Sequence, residues 1–166
     1  MSTKKRAMYQ IIPIKRQHDA SVSQIITRVG AAYGAVGEGF GPADPEVECM
    51  SQHYFVEQRS QYLVAIVNEQ VVGGAGIAPF LHYRDVCELK KLFLLPSHQG
   101  LGIGKALTQA SLQFAHQQGY QQCYLDTLSN MQAAINLYEK LGFIHLEQPF
   151  AGTLHGGCDV WMLKEL

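Results

Sequence analysis

Charge is scarce and evenly split in this chain of 166 residues: 13 Lys and Arg stand against 14 Asp and Glu, for a formal net charge of −1. A nucleic-acid binder ordinarily carries a basic patch or a high isoelectric point, so no nucleic-acid partner is expected. No apolar run approaches the ~20 residues that span a bilayer, and the start lacks the apolar core of a signal peptide. No membrane partner is expected, and the expected location is cytoplasmic. The four cysteines, Cys49, Cys87, Cys123 and Cys158, lie far apart with no C-x-x-C pair, which indicates reduced intracellular thiols in place of a zinc site or a disulfide framework. The seven histidines form no H-E-x-x-H or other short metal spacing, so no metal is assigned. Linkers, repeats and low-complexity stretches that would divide the chain are also missing.

What is there suffices for one domain. At this length folding should bury roughly 70% of the unfolded surface, enough for a core without staples. Met1 to Ala7, with Lys4, Lys5 and Arg6, is expected to be a solvated, flexible tail (1–7), and 8–166 the domain.

Glycine is plentiful, and its placement is informative. Gly100, Gly102 and Gly104 stand between the strand-like run Cys87 to Leu95, stopped by Pro96, and a helical run in which Ile103, Leu107, Ala110 and Phe114 recur until Gly119. A helix start leaves about four backbone N–H groups without internal partners and carries roughly half a positive charge, so a strand, glycine turn and helix in that order suggest an anion seat. Lys105 adds charge. Glycine at ~7% of residues produces a G-x-G pair about once by chance in such a chain, so spacing must decide which anion. A Walker loop requires Gly where Gln99 stands and Ser or Thr where Ala106 stands. A dinucleotide fingerprint requires Gly at Lys105 or at Leu107. Both fail, and Q-x-x-G-x-G remains, satisfied by Gln99, Gly102 and Gly104.

With that motif the chain resembles the GNAT superfamily of N-acetyltransferases. A second segment, Tyr124 to Phe143, is similar to the family's next strand and helix and ends in the L-Y-E-K-L-G-F signature from Leu137 to Phe143. The resemblance is specific from about Glu88 to Phe143. It implies an α/β, single-domain, GNAT-like fold: a twisted mixed, largely antiparallel sheet of about seven strands with about four helices. It also implies acetyl-CoA as cosubstrate, its pyrophosphate on Gln99, Gly100, Leu101, Gly102, Ile103, Gly104 and Lys105, and its pantetheine arm in a gap beside the unpaired backbone of Leu92, Phe93 and Leu94. Where the family often has a cofactor-touching asparagine, this chain has Met131, with Asn130 one place earlier.

The remaining elements follow from pattern. Tyr9 to Ile14, carrying Pro13, reads as an edge strand, and Val22, Ile25, Ile26 and Val29 as one face of a helix capped by Asp19 or Ser21. Gly34 to Pro45, with four glycines and two prolines, reads as a loop, and Asp44-Pro45-Glu46 as the N-cap and first turn of a helix running toward Gln58. Tyr62 to Val67 and Val71 to Ile77 read as a strand pair, and two short strands are expected around Phe143 to Leu146 and Cys158 to Leu163. The irregular mixture of strands and helices argues for a layered α/β structure that is not doubly wound.

Acetyl transfer to an amine needs a held donor, a deprotonated acceptor nitrogen, donors for the oxyanion and a proton for the departing thiolate. Glu88 lies on the strand six residues before Leu94, so alternation sets both on one face. Desolvation of an acid on an apolar strand raises its pKa, and the resemblance implies the general base there. Asp126, twelve residues before Tyr138, is a competing base. The resemblance makes Tyr138 the acid that protonates the thiolate, beside a packing role with Ala134 and Leu141. The acceptor is expected to be a primary amine of a small molecule or a peptide. Glu38, Asp44, Glu46 and Glu48 could attract it or could form an ordinary solvated loop and helix start, and His155 to Cys158 could border its groove, Cys158 reading as a core thiol. A non-catalytic acyl-CoA-binding sensor or interaction module on the same fold is the alternative, and a homodimer is left open.

Overall fold

The computed structural model describes residues 8–166, and the expected tail, Met1 to Ala7, lies outside them. Seven strands form one sheet: β1 (Gln10–Pro13), β2 (Gln61–Val67), β3 (Gln70–Phe80), β4 (Tyr83–Leu94), β5 (Gln122–Thr127), β6 (Ile144–His145) and β7 (Val160–Glu165). Their order is β1-β2-β3-β4-β5-β7-β6, antiparallel throughout except for the parallel pair β4–β5. Three α-helices cover the sheet: α1 (Asp19–Ala32), α2 (Ile103–Gln117) and α3 (Gln132–Lys140). The 3-10 segment Pro45–Gln52 is a fourth helical element. The expected mixed, largely antiparallel sheet is borne out.

Local sequence explains these elements. Asn68 and Glu69 take φ of 48° and 65°, the two left-handed positions of a tight hairpin turn, and join β2 to β3. Pro13 sits on β1 at the sheet edge, where its missing N–H costs no ladder bond. Ile103, Leu107, Phe114 and Ala115 bury one face of α2, and Gly119, at φ 83°, ends it. One apolar cluster lies between the sheet and α2 and α3, with Cys87, Leu89, Leu107, Leu125 and Tyr138; another lies on the α1 side, with Val22, Ile26, Tyr62, Val64 and Phe93.

The expected helix from Asp44 to Gln58 is corrected. Pro45–Gln52 is 3-10, it is broken by the non-helical dihedrals of Cys49 (φ −148°, ψ 62°), and a separate 3-10 turn covers Val56–Gln58. Asp44 occupies the N-cap position without capping, because its carboxylate bonds instead to Lys91 and His155. Likewise His18, not Asp19 or Ser21, holds the N-cap position of α1; Asp19 turns to Ser51, accepting from its N–H at 2.8 Å and its hydroxyl at 2.6 Å.

A β-bulge in β4 positions the site. Between Gly74 and Gly76 of β3, opposite Phe93 and Lys90, one residue of β3 faces two of β4, and Lys91 takes φ 52°. A left-handed conformation costs a non-glycine residue roughly 1–2 kcal/mol. The bulge flips the alternation of the strand beyond it. Leu94 packs with the cluster that holds Cys87 and Leu89, on the α2 side, so Glu88 and Leu94 do not share a face as alternation alone predicts.

Candidate active site at the gap between β4 and β5

The pair β4–β5 is registered only at Val86 with Gln122, Cys87 with Cys123 and Glu88 with Tyr124. Beyond Glu88 the strands diverge, and β5 continues along β7 alone. The gap so formed opens through the sheet. On one side runs a groove of about 420 Å³ lined by Leu92, Phe93, Leu94, Gln99, Gly100, Gly102, Gly104 and Lys105, with Met131, Leu137 and Lys140 from the α3 side. It shares Leu92, Phe93 and Met131 with a smaller cleft of about 80 Å³ that is bordered by Glu88, Asp126, Tyr138, His155 and Cys158.

The groove end at α2 has the features of an anion seat. Gly102 is the N-cap, at φ 83°, and no side chain caps the helix; its first turn holds no acidic residue. Gly100 stands at φ 76°, and a Cβ added at either glycine would meet open space, so conformation and not crowding requires glycine there. The first-turn N–H groups thus lack a side-chain acceptor, and Lys105 and Lys140 add cations. A pyrophosphate fits this donor set. Two of the predicted contact residues lie elsewhere: the side chain of Ile103 is fully buried in the core, and Leu101 is 46% exposed and outside the groove lining, so both could contribute only backbone.

The catalytic candidates approach the gap from opposite faces. Tyr138 belongs to the apolar cluster under α2 and α3, its ring 5.6 Å from that of Phe143, and burial holds its hydroxyl above the ordinary range, protonated at neutral pH. Glu88 lies on the other face, its side chain 12% exposed. Burial pushes its carboxyl up to about 7; Asp126 adds to the rise, while Lys90 opposes it. No hydrogen bond reaches its carboxylate among the described residues; His155 Nδ1 stands 3.7 Å from Oε1.

Asp126 is differently placed. Its Oδ1 is 3.1 Å from His155 Nδ1, and its Oδ2 accepts from the Thr153 hydroxyl at 2.7 Å. His155 Nε2 meets Asp44 Oδ2 at 2.7 Å. Burial disfavours the charged imidazole, but the bonds to Asp126 and Asp44 outweigh it and lift the pKa to about 10. The imidazolium donates through both nitrogens. Glu88, Asp126 and His155 bring three potential metal-ligand atoms within 4.8 Å of one another, and both His155 ring nitrogens are engaged by carboxylates.

The network extends to two lysines. Lys91 Nζ bonds Asp44 at 2.8 Å and Glu46 at 2.8 Å, and Lys90 Nζ bonds Glu46 at 2.7 Å. Burial would raise both carboxyls, but His155 and Lys91 bring Asp44, and Lys90 and Lys91 bring Glu46, down to about 2. Asp44 and Glu46 are therefore neutralised from within and are not free bait for a cationic acceptor; Glu38 and Glu48 are exposed. Cys158 is half-buried at the cleft, where burial pushes its thiol up to about 12, and is not part of the core as the sequence reading had it. Asn130 donates to the Tyr33 carbonyl at 2.9 Å, which leaves Met131 to line the groove. Sequence reasoning missed Lys90, Lys91 and Lys140. The paired lysines inside an apolar strand were a visible signal that counter-charges would be needed.

The family model for the GNAT acetyltransferase family matches residues 32–143. The chain belongs to the GNAT acetyltransferase family. The N-acetyltransferase YjgM of Escherichia coli K12, whose function is uncharacterised, is 37% identical over 152 residues, 90% of each chain. Human N-acetyltransferase 8B is 37% identical over 105 residues, 61% of this chain and 46% of that protein, so the chain spans about half its length. Among solved structures, a GNAT-family acetyltransferase from Staphylococcus aureus Mu50 superposes with a TM-score of 0.81 at 20% identity, over 95% of this chain and 99% of that one. YncA of Salmonella typhimurium, solved with its cofactor acetyl-CoA, gives 0.76 at 22%, over 95% and 94%. The GNAT fold expected from the two motifs is established, and the family's reaction class is acetyl transfer. No helix among the described residues is long and apolar enough to cross a membrane.

Proposed function

We propose that the protein transfers acetyl from acetyl-CoA to a primary amine of a small molecule or peptide by direct attack in a ternary complex, with Glu88 as general base and Tyr138 as general acid. The observation that carries the reading is the convergence at one gap of a desolvated carboxylate whose pKa is about 7 and a protonated phenol, next to an uncapped helix start. Acetyl-CoA supplies an activated thioester. The N–H groups at the start of α2, with Lys105 and Lys140, hold its pyrophosphate, and Leu92, Phe93 and Leu94 line the arm that leads to the acetyl end.

Between Glu88 and Asp126, the hydrogen bonds favour Glu88. Both Asp126 oxygens are engaged, by His155 and Thr153, so neither faces the acceptor unpartnered. The Glu88 carboxylate is free to take the ammonium proton, directly or through one water. Backbone N–H groups on the open side of β4 stabilise the carbonyl oxygen as charge develops, and Tyr138 gives its proton to the departing sulfur.

The test is incubation with acetyl-CoA and a panel of monoamines, polyamines, amino acids and peptides, reading free thiol. Thiol release with at least one acceptor is expected. Thermal stabilisation by acetyl-CoA without release from any acceptor supports the sensor instead, and absence of binding refutes both readings.

A further inference from the structure

Tyr62 reaches across the sheet toward the bulge. It stands on β2, two strands from β4, is 1% exposed, and donates its hydroxyl to the Lys91 carbonyl at 2.8 Å. The route passes over β3 and is cleared by two glycines: a Cβ at Gly74 would lie 2.6 Å from the Tyr62 ring and 2.7 Å from its hydroxyl, and one at Gly76 would lie 2.6 Å from the ring. Lys91 is thereby gripped at both ends, the carbonyl by Tyr62 and the ammonium by Asp44 and Glu46. This residue carries the left-handed φ of the bulge.

The bulge decides which backbone groups face the gap. Leu95 donates its N–H to Val72 of the β3 side at 2.8 Å, and the Phe93 carbonyl lies against Gly73 of β3. Alternation from those two residues turns the N–H groups of Leu92 and Leu94 the other way, toward the side where β5 has diverged. Shifting Lys91 out of its bulge conformation would rotate these donors out of the gap.

We infer that Tyr62 is a positioning residue for acetyl transfer: by holding the Lys91 carbonyl it fixes the bulge that aims the Leu92 and Leu94 N–H groups at the thioester carbonyl. The inference rests on the proposed transferase reading, and Tyr62 itself touches no substrate. Its neighbour Tyr54, with ring centroids 5.4 Å apart, has a buried hydroxyl with no hydrogen-bond partner among the described residues and serves as the control for loss of a phenol oxygen.

The experiment measures the thioester carbonyl stretch of bound acetyl-CoA carrying carbon-13 at the carbonyl, which needs no acceptor. In the unaltered protein the stretch moves below its solution value. Tyr62→Phe is expected to return it most of the way, to leave the acetyl-CoA Kd within about twofold, and to lower kcat by about tenfold or more; Tyr54→Phe is expected to keep the shift. If Tyr62→Phe does not fold, Gly74→Ala, which displaces the Tyr62 ring, carries the same expectation. An undiminished shift in a folded Tyr62→Phe or Gly74→Ala protein overturns the inference while leaving the transferase reading intact. Failure of the unaltered protein to bind acetyl-CoA overturns both.

Discussion

The imidazole of His155 and the carboxylate of Asp44 meet at 2.7 Å across 111 residues of sequence. The contact ties the loop before β7 to the loop after α1, and Gly157 N–H donating to the Gly39 carbonyl at 3.0 Å ties them a second time. A buried imidazolium between two carboxylates makes stability depend on pH in a definite direction.

The His155 pKa is raised from 6.5 to about 10, so its contribution to stability is fully present below 6.5 and is lost as pH rises through about 10. Asp44 is lowered from 3.8 to about 2, so its contribution is present above 3.8 and is lost as pH falls toward 2. Glu88, raised from 4.5 to about 7, favours the folded state when protonated and so adds a smaller decline between those values. Thermal melts should therefore fall on both the acid and alkaline sides. His155→Gln should lower Tm by several degrees at neutral pH, a loss on the order of 2 kcal/mol, and flatten the alkaline limb. An alkaline limb as steep as before would remove His155 as its source.

Glu88→Gln should lower kcat by about 10²-fold or more, because the amide cannot accept the ammonium proton. In the unaltered enzyme kcat/KM should rise with pH through an apparent pKa near 7 as Glu88 ionises, and that step should vanish in the variant. Thiol release followed over roughly two pH units either side of that pKa checks both. An unchanged profile would return the base to Asp126.

Tyr138→Phe should slow transfer by roughly one to three orders of magnitude with acetyl-CoA affinity unchanged, since the ring and its contact with Phe143 are kept. Single-turnover kinetics beside equilibrium binding separate the two effects. A full-speed variant would leave Tyr138 a packing residue only.

Lys105→Ala and Lys140→Ala should each weaken coenzyme A binding several-fold, roughly 1 kcal/mol apiece, and make it less sensitive to salt, while leaving kcat at saturation nearly unchanged. Gly102→Ala should act more strongly. It strains a residue at φ 83° at the N-cap itself, at a cost of about 1 kcal/mol before any ligand is considered. Calorimetric titration with coenzyme A measures each.

The parts of this molecule legible in its sequence are those governed by short-range pattern. The glycine turn from Gln99 to Lys105 could be read because three glycines, a strand and a helix fall within one window, and the sheet face that Glu88 takes could be read because it lies before the bulge, where alternation still holds. Leu94 was misplaced because Lys91, a residue with no intrinsic leaning toward positive φ, is held there by Tyr62, Asp44 and Glu46 from far along the chain. Asp44 looked like an N-cap for the same reason: the local preference was genuine, and a distant imidazolium and ammonium outbid it. The paired lysines signalled that counter-charges were needed, but which carboxylates supply them was invisible to any window, since those come from a distant loop and 3-10 segment.

The parting of β4 from β5 leaves two stretches of unsatisfied strand edge in the middle of a sheet, not at its rim. An edge at the rim invites another polypeptide to add on, which is why such edges are commonly short or charged. Here the two edges face each other across a gap within the sheet. A slender, extended molecule that carries its own amide groups can enter, and the fold thereby keeps a strand-like docking slot open without advertising it to its neighbours.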